Sequence, residues 1–313
     1  MEVQQQSTDG FVEFCREVET QIRRIQPKVQ LRKVIKNNQT EQVGLDFPNK
    51  TGCVTPIIYL EDFYSEYRVG RTMPEIVAEI MTLYHKQDRQ LEVRLQYAMK
   101  WSFARQRVLC KLINAKKNQE LLRHVPHERW LDLALVYFYP VRRTNESCAN
   151  ITINHKILER WEVSSQDLFE QAWKNMEEQI RTVVLPMTAL MMNRLEHILC
   201  LQEKGVQPLL LLEPTEGENM YVITNQFQMF GAVGILNDSV LERLANHFEE
   251  DLIVLPSSIH ECIIVPYHEK DVEHLKRLVL EMNRSNVAAP DVLSDSIYIY
   301  RKALHKIECI SSD

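Results

Sequence analysis

Glycine is scarce here: eight residues in 313, with twelve prolines. That leaves little of the composition that long disordered or low-complexity stretches need. No C-x-x-C occurs. The seven cysteines (Cys15, Cys53, Cys110, Cys148, Cys200, Cys262 and Cys309) are scattered and odd in number. Neither a disulfide framework nor a zinc ribbon has that pattern. Long apolar runs are also missing. The longest aliphatic stretch, Leu209 to Leu212, falls far short of the about 20 residues that a bilayer-spanning helix needs. The opening MEVQQQSTDGFVEF has no basic patch ahead of an apolar core, so no signal peptide is expected. G-x-S-x-G, the P-loop and G-x-G-x-x-G are all absent, so a nucleophile elbow and nucleotide binding by those routes lack support. No repeat of fixed period occurs. The expectation from these absences is a cytoplasmic protein outside the membrane, with no cofactor.

What is present is ordinary for a globular chain. Hydrophobic residues make up 45% and charged residues 26%. The length suits two domains better than one. The net charge of −6 hides an asymmetry. Residues 1–160 carry 25 Lys/Arg against 19 Asp/Glu, and residues 161–313 carry 12 against 24, giving +6 and −12. Such a split fits two domains with different partners, or two faces that attract each other.

Periodicity places the elements. Phe11, Phe14, Val18, Ile22 and Ile25 recur at helical spacing across 9–25. VQLRKVIKN and QTEQVGLDF read as a hairpin, with TPIIYL as a third strand. DFYSEYRVG is a short helix ended at Gly70. Thr72 and Glu75 have capping-box spacing with Pro74 in the first turn, and Ser164 with Asp167 repeats the device. A helix is expected over about 103–123, and a buried strand over LDLALVYFY with NITINHKI as its partner. Pro186, Pro208 and Pro214 punctuate a Met-rich segment and then EPTEGEN, so a junction is placed there. Beyond it, MYVITN, FGAVGIL, DLIVLP, HECIIVP and SIYIYRKAL read as strands around two helices. The expected fold class is α+β, with two domains, each a mostly antiparallel sheet with packed helices. The domains are 1–181, a helical junction at 182–219, and a ββαββαβ domain at 220–313.

VLPSSIHE, residues 254–261, is the one stretch that concentrates hydrolytic letters. Ser258, His260 and Asp295 are the catalytic candidates, with Asp295 orienting His260 if the last strand lies beside that of His260. Against this, Pro256, Ser257 and Ser258 have turn chemistry. Strand alternation puts Ser258 and His260 on one face roughly 6.5 Å apart, a poor geometry for direct proton transfer. His260, Cys262 and His268 are zinc-type donors at no standard spacing, so no metal site is expected.

Asn114, Asn118 and His127 are ligand-binding candidates, the two asparagines being four apart on the expected helix. Ser257 and Asn225 complete that set. Each has a plainer role as a cap or turn residue. Lys100, Arg105, Arg107, Lys111, Lys116, Lys117 and Arg123 fall on or beside the same expected helix, which could track phosphates. The acidic second half argues against a polyanion, so nucleic acid is not the expected partner.

The blocks LINAKKNQELLRHVPHERWLDLALVYFY, NITINHKILERWEVSSQDLFEQAWKNM, MYVITNQFQMFGAVGIL, DLIVLPSSIHECIIVP and VAAPDVLSDSIYIY resemble a family of clostridial-type bacteria known only as a domain of unknown function. The resemblance covers nearly the whole chain and is sharpest at VLPSSIHE. It implies a bacterial cytosolic protein and supplies no activity. The leading expectation is an interaction or regulatory protein that binds a protein partner or a small ligand. A serine hydrolase and a nucleic-acid binder are the alternatives.

Overall fold

The computed structural model describes residues 2–48, 57–143, 148–188, 219–256 and 258–310. The fold is α+β, with three mostly antiparallel sheets. The chain divides into two compact units, Met1–Ala98 and Met99–Asp313.

In the first unit, α1 (Glu2–Arg23) carries the stripe read from its sequence, and Phe14, Val18 and Ile22 are buried. β1 (Gln30–Ile35), β2 (Glu41–Asp46) and β3 (Ile57–Tyr59) form an antiparallel sheet in that order. α2 (Glu61–Arg68) ends where Gly70 takes φ +105°, a conformation that favours glycine. α3 (Met73–Ala98) starts as expected, the Thr72 N–H and Oγ both donating to the Glu75 carboxylate. Leu45, Phe47, Ile58, Leu60, Ile76 and Ile80 close the core beneath these helices.

The second unit holds two sheets. α4 (Trp101–Ala104) is a single turn, and the chain then becomes β4 (Leu109–Asn114). The helix expected over 103–123 is therefore corrected to a turn, a strand and α5 (Gln119–Leu122). VLCKLIN pairs with β6 along one edge and is buried almost throughout, and such a run does not distinguish helix from strand by periodicity. β6 (Leu133–Arg143) pairs with β4 on one side and with β5 (His127–Trp130) and β7 (Cys148–Thr152) on the other. This explains its continuous apolar sequence, because Leu133 to Tyr139 are all buried. α6 (His155–Trp161) follows, then α7 (Ser165–Gln179) with the Ser164–Asp167 capping box. Asn175 of α7 fixes the turn before β4, its Nδ2 donating to the carbonyls of Arg105 (2.8 Å) and Val108 (2.9 Å).

β8 (Thr182–Pro186), β9 (Tyr221–Asn225), β10 (Leu252–Leu255), β11 (Cys262–Pro266), β12 (Ile297–Arg301) and β13 (Lys306–Ile310) make the second sheet, in the order β13-β12-β10-β11-β9-β8. α8 (Asp238–Phe248) and α9 (Val272–Ser285) complete it. FGAVGIL, expected as a strand, is a 3₁₀ segment at Gly231–Leu236. Phe230 just before it is left-handed at φ 57°, which breaks the extended path. β13 was not anticipated.

The observed division differs from the expected one. β8 opens the expected junction yet pairs with β9, so both sides of position 182 belong to one unit. Met191, Met192 and EPTEGE (213–218) lie outside the described residues. The basic 99–160 segment folds in the same unit as the acidic half, and Lys117 pairs with Asp295 at 3.1 Å.

Burial pushes the thiols of Cys15 and Cys110 up to about 12, Glu61 adding to the effect at Cys15. The thiolate is the reactive form. At pH 8 iodoacetamide should therefore leave both unmodified in the native protein and alkylate both in urea, as peptide mass spectrometry would read. Native alkylation of Cys110 would contradict its buried position.

Candidate functional site

The turn between β10 and β11 is built from its own backbone. Ser258 N donates to Glu261 O at 3.1 Å, and Glu261 N returns to Ser258 O at 3.4 Å. Ser258 Oγ accepts from His260 N at 3.0 Å, the local serine-to-backbone bond that favours serine in turns. Ser258 is buried, and Ser257 lies outside the described residues.

His260 is held from several sides. Its carbonyl accepts from Thr224 Oγ1 at 2.9 Å. Its Nδ1 accepts the Phe230 N–H at 3.2 Å, and its Nε2 lies 3.4 Å from Asp291 Oδ1. With Nδ1 accepting, the neutral ring carries its proton on Nε2 and points it at the carboxylate. The ring stacks on Phe230, with centroids 5.5 Å apart and 17° between planes. Phe230 meets Phe138 edge-on, and Lys111 Nζ sits 4.3 Å from the Phe230 centroid, within cation–π range. Next to this stack Asn225, Cys110, Phe138 and Phe230 line a small cavity of about 20 Å³, room for about one water. Beside His260, burial raises the Glu261 carboxyl above its ordinary value, and the imidazole only partly offsets this.

The expected partner of His260 is corrected. β12 pairs with β10, so the last strand does not run beside His260. Asp295 instead accepts from Asn283 Nδ2 (2.9 Å) and pairs with Lys117. Burial tends to raise its carboxyl, but these two contacts outweigh it and hold the group below the usual range. The carboxylate at His260 is Asp291, at the end of the 3₁₀ segment Ala289–Asp291, whose carbonyl also accepts from Ile259 N at 2.8 Å. Sequence reasoning missed Asp291. No periodicity marks it, and only a tertiary contact gives it meaning.

The ligand-binding candidates are largely engaged in the fold. Asn114 and Asn118 do not share a helix face, since Asn114 ends β4. Asn114 Nδ2 donates to Leu293 O (3.0 Å), its Oδ1 accepts from Lys117 N (2.8 Å), and Asn118 Nδ2 donates to Asn114 O (2.8 Å). His127 Nδ1 bonds its neighbour's carbonyl, Val125 O, at 3.0 Å. Asn225 bridges its own loop through Met229 O (2.7 Å) and Phe227 N (2.9 Å). Asn114 and Asp295 do converge, on one polar seam between the two sheets. Its centre is Asp132, which accepts from Ser294 Oγ, from Tyr298 OH at 2.8 Å, and from Cys309 Sγ at 3.8 Å. Burial, then Asp132, pushes the Tyr298 phenol well above its ordinary value.

With β4 a strand, the seven basic residues do not line one helix, and the phosphate-tracking surface loses its basis. No helix among the described residues is long and apolar enough to cross a membrane.

A family of unknown function, DUF5688, matches residues 11–302, nearly the whole chain. The chain belongs to DUF5688. The match spans both units, so the His260 turn, the first-unit sheet and the Asp132 seam apart from Cys309 lie within the DUF5688 region. No curated protein and no solved structure matches the chain.

Proposed function

We propose that this protein works by binding a protein partner or a small ligand, and not by serine hydrolysis. The observation that carries the reading is the engagement of His260. One ring nitrogen accepts a backbone N–H and the other faces Asp291. Proton transfer from serine needs an imidazole lone pair directed at the hydroxyl. Here Ser258 Oγ accepts from the His260 N–H, which is a turn bond. Asp291, His260 and Phe230 then act as a clamp that fixes the loop 226–231 against the hairpin. We place the protein in the cytosol, a reading that the free thiols of Cys15, Cys110, Cys262 and Cys309 support.

A fluorophosphonate probe tests the chemistry. Peptide mass spectrometry should find no adduct on Ser257 or Ser258, at any pH from 6 to 9. An adduct that disappears in His260→Ala would overturn the reading and restore the hydrolase. Native mass spectrometry of gently purified protein at low salt addresses the partner. A mass above 36.9 kDa is the expected result, and a bare monomer from repeated preparations would count against a stable partner.

A further inference from the structure

We propose that Asp238, Glu242 and His305 form a binding site for a divalent cation of the zinc class. The three come from two separate elements. Asp238 and Glu242 stand four apart on α8, so they share one helix face. His305 comes from the loop between β12 and β13, where its backbone is left-handed at φ 49°. One donor atom from each lies within 4.8 Å of the others. His305 Nδ1 is 3.1 Å from Asp238 Oδ2. Ligands about 2.0 to 2.2 Å from one tetrahedral metal lie roughly 3.3 Å apart, so this pair is already at coordination spacing. The half-buried Glu242 side chain closes the remaining distance by a change of rotamer.

The donor chemistry selects the ion. Imidazole with two carboxylates suits zinc and its neighbours, whereas magnesium and calcium favour oxygen alone. This is therefore more than a cluster of acidic groups. Two further features lie outside the donor set. Tyr300 is buried at 1% exposure; its hydroxyl donates to Asp238 Oδ1 at 2.8 Å and lies 3.3 Å from His305 Nδ1, so it touches two of the three donors. That bond turns the other carboxylate oxygen, Oδ2, toward His305, as an outer-shell partner orients a metal ligand. An open groove of about 380 Å³ adjoins the cluster, lined by Glu242, Asn246, Glu249, Glu250, Asp251, Lys302 and His305. It leaves room for water or a ligand atom in the fourth position, the arrangement of a site that binds through its metal and not of a closed structural one. Carboxylates outnumber Lys302 there, so the groove carries negative charge even with Asp251 occupied by Arg301 (3.0 Å) and the Lys302 N–H (2.8 Å).

Isothermal titration of the chelator-treated full chain with zinc chloride tests the assignment. One zinc per chain is expected. His305→Asn, which tolerates the left-handed backbone, and Glu242→Gln should each abolish it. Glu249→Gln, in the groove but not a donor, should bind as the parent does. Tyr300→Phe keeps all three donors and should weaken affinity about tenfold or more. Far-UV circular dichroism and the metal-free urea midpoint confirm that each variant folds. Absence of zinc binding overturns the proposal, as does zinc binding unchanged in His305→Asn. Binding lost in Glu242→Gln but kept in His305→Asn also overturns it, because the ion would then rest on carboxylates alone.

Discussion

Asp132→Ala is expected to destabilise the second unit by about 3 to 5 kcal/mol, because it orphans two hydroxyls at once. Ser294 is 0% exposed and Tyr298 is 0% exposed, and both donate to the same carboxylate. Each buried donor left without an acceptor costs about 1 to 3 kcal/mol. Trp130 packs edge-on against Tyr298 at 5.6 Å and covers that side of the seam. Asp132→Asn keeps one acceptor oxygen and should lose about half as much. Ser294→Ala with Tyr298→Phe in the Asp132→Ala background removes the orphans and should recover part of the loss, since deleting both partners is cheaper than deleting one. Urea denaturation of the four proteins reads this directly. A midpoint that hardly moves in Asp132→Ala would mean that the seam is solvated and that the sheets are held by their apolar residues alone.

The second large effect belongs to Gly231. A methyl group there would lie 2.6 Å from Thr224 Oγ1, 2.7 Å from Asn225 N and 2.7 Å from His260 O. Two of these atoms are backbone and cannot turn away. Gly231→Ala is expected to cost about 3 kcal/mol, at the upper end of ordinary overpacking. It should also loosen the clamp, since His260 O and the Phe230 N–H are its immediate neighbours. Hydrogen exchange at Phe230 and Ala232 should then speed up well before global unfolding. A variant with unchanged midpoint and exchange would show that the loop 226–231 shifts freely, and the clamp assigned to His260 would fail with it.

What was legible in the sequence was local. Thr72 with Glu75 and Ser164 with Asp167 announced their helix starts, because a capping box satisfies its own backbone groups within four residues. The hairpin of β1 and β2 followed from alternation on either side of an Asn-rich break, and LDLALVYFY was recognisably a buried strand. The reading of VLPSSIHE as a turn rested on the same local chemistry, and Ser258 does bond within its own turn. Where reasoning went astray, the deciding interaction was remote. VLCKLIN is apolar enough for a helix, and pairing with β6 along its whole length makes it a strand. FGAVGIL has strand composition, and its approach to Thr224, Asn225 and His260 coils it instead.

The candidate site divides the same way. Sequence alone determined that His260 follows a serine turn and that carboxylates lie downstream of it. It could not choose between Asp291 and Asp295. That choice depends on sheet order, which places β12 against β10 and lets Ala289–Asp291 cross the end of the hairpin. The same holds for Asp238, Glu242 and His305, whose donors come from a helix and a loop that no spacing rule connects. Helix starts, turns and buried runs are set by neighbours within a few residues, so the order of residues carries them. The partner of a half-buried histidine, the acceptor of an inaccessible hydroxyl and the meeting of three metal-type donors are set by which strands lie side by side. Only the tertiary structure decides that, because strand order depends on packing across the whole unit and leaves no periodic mark along the chain.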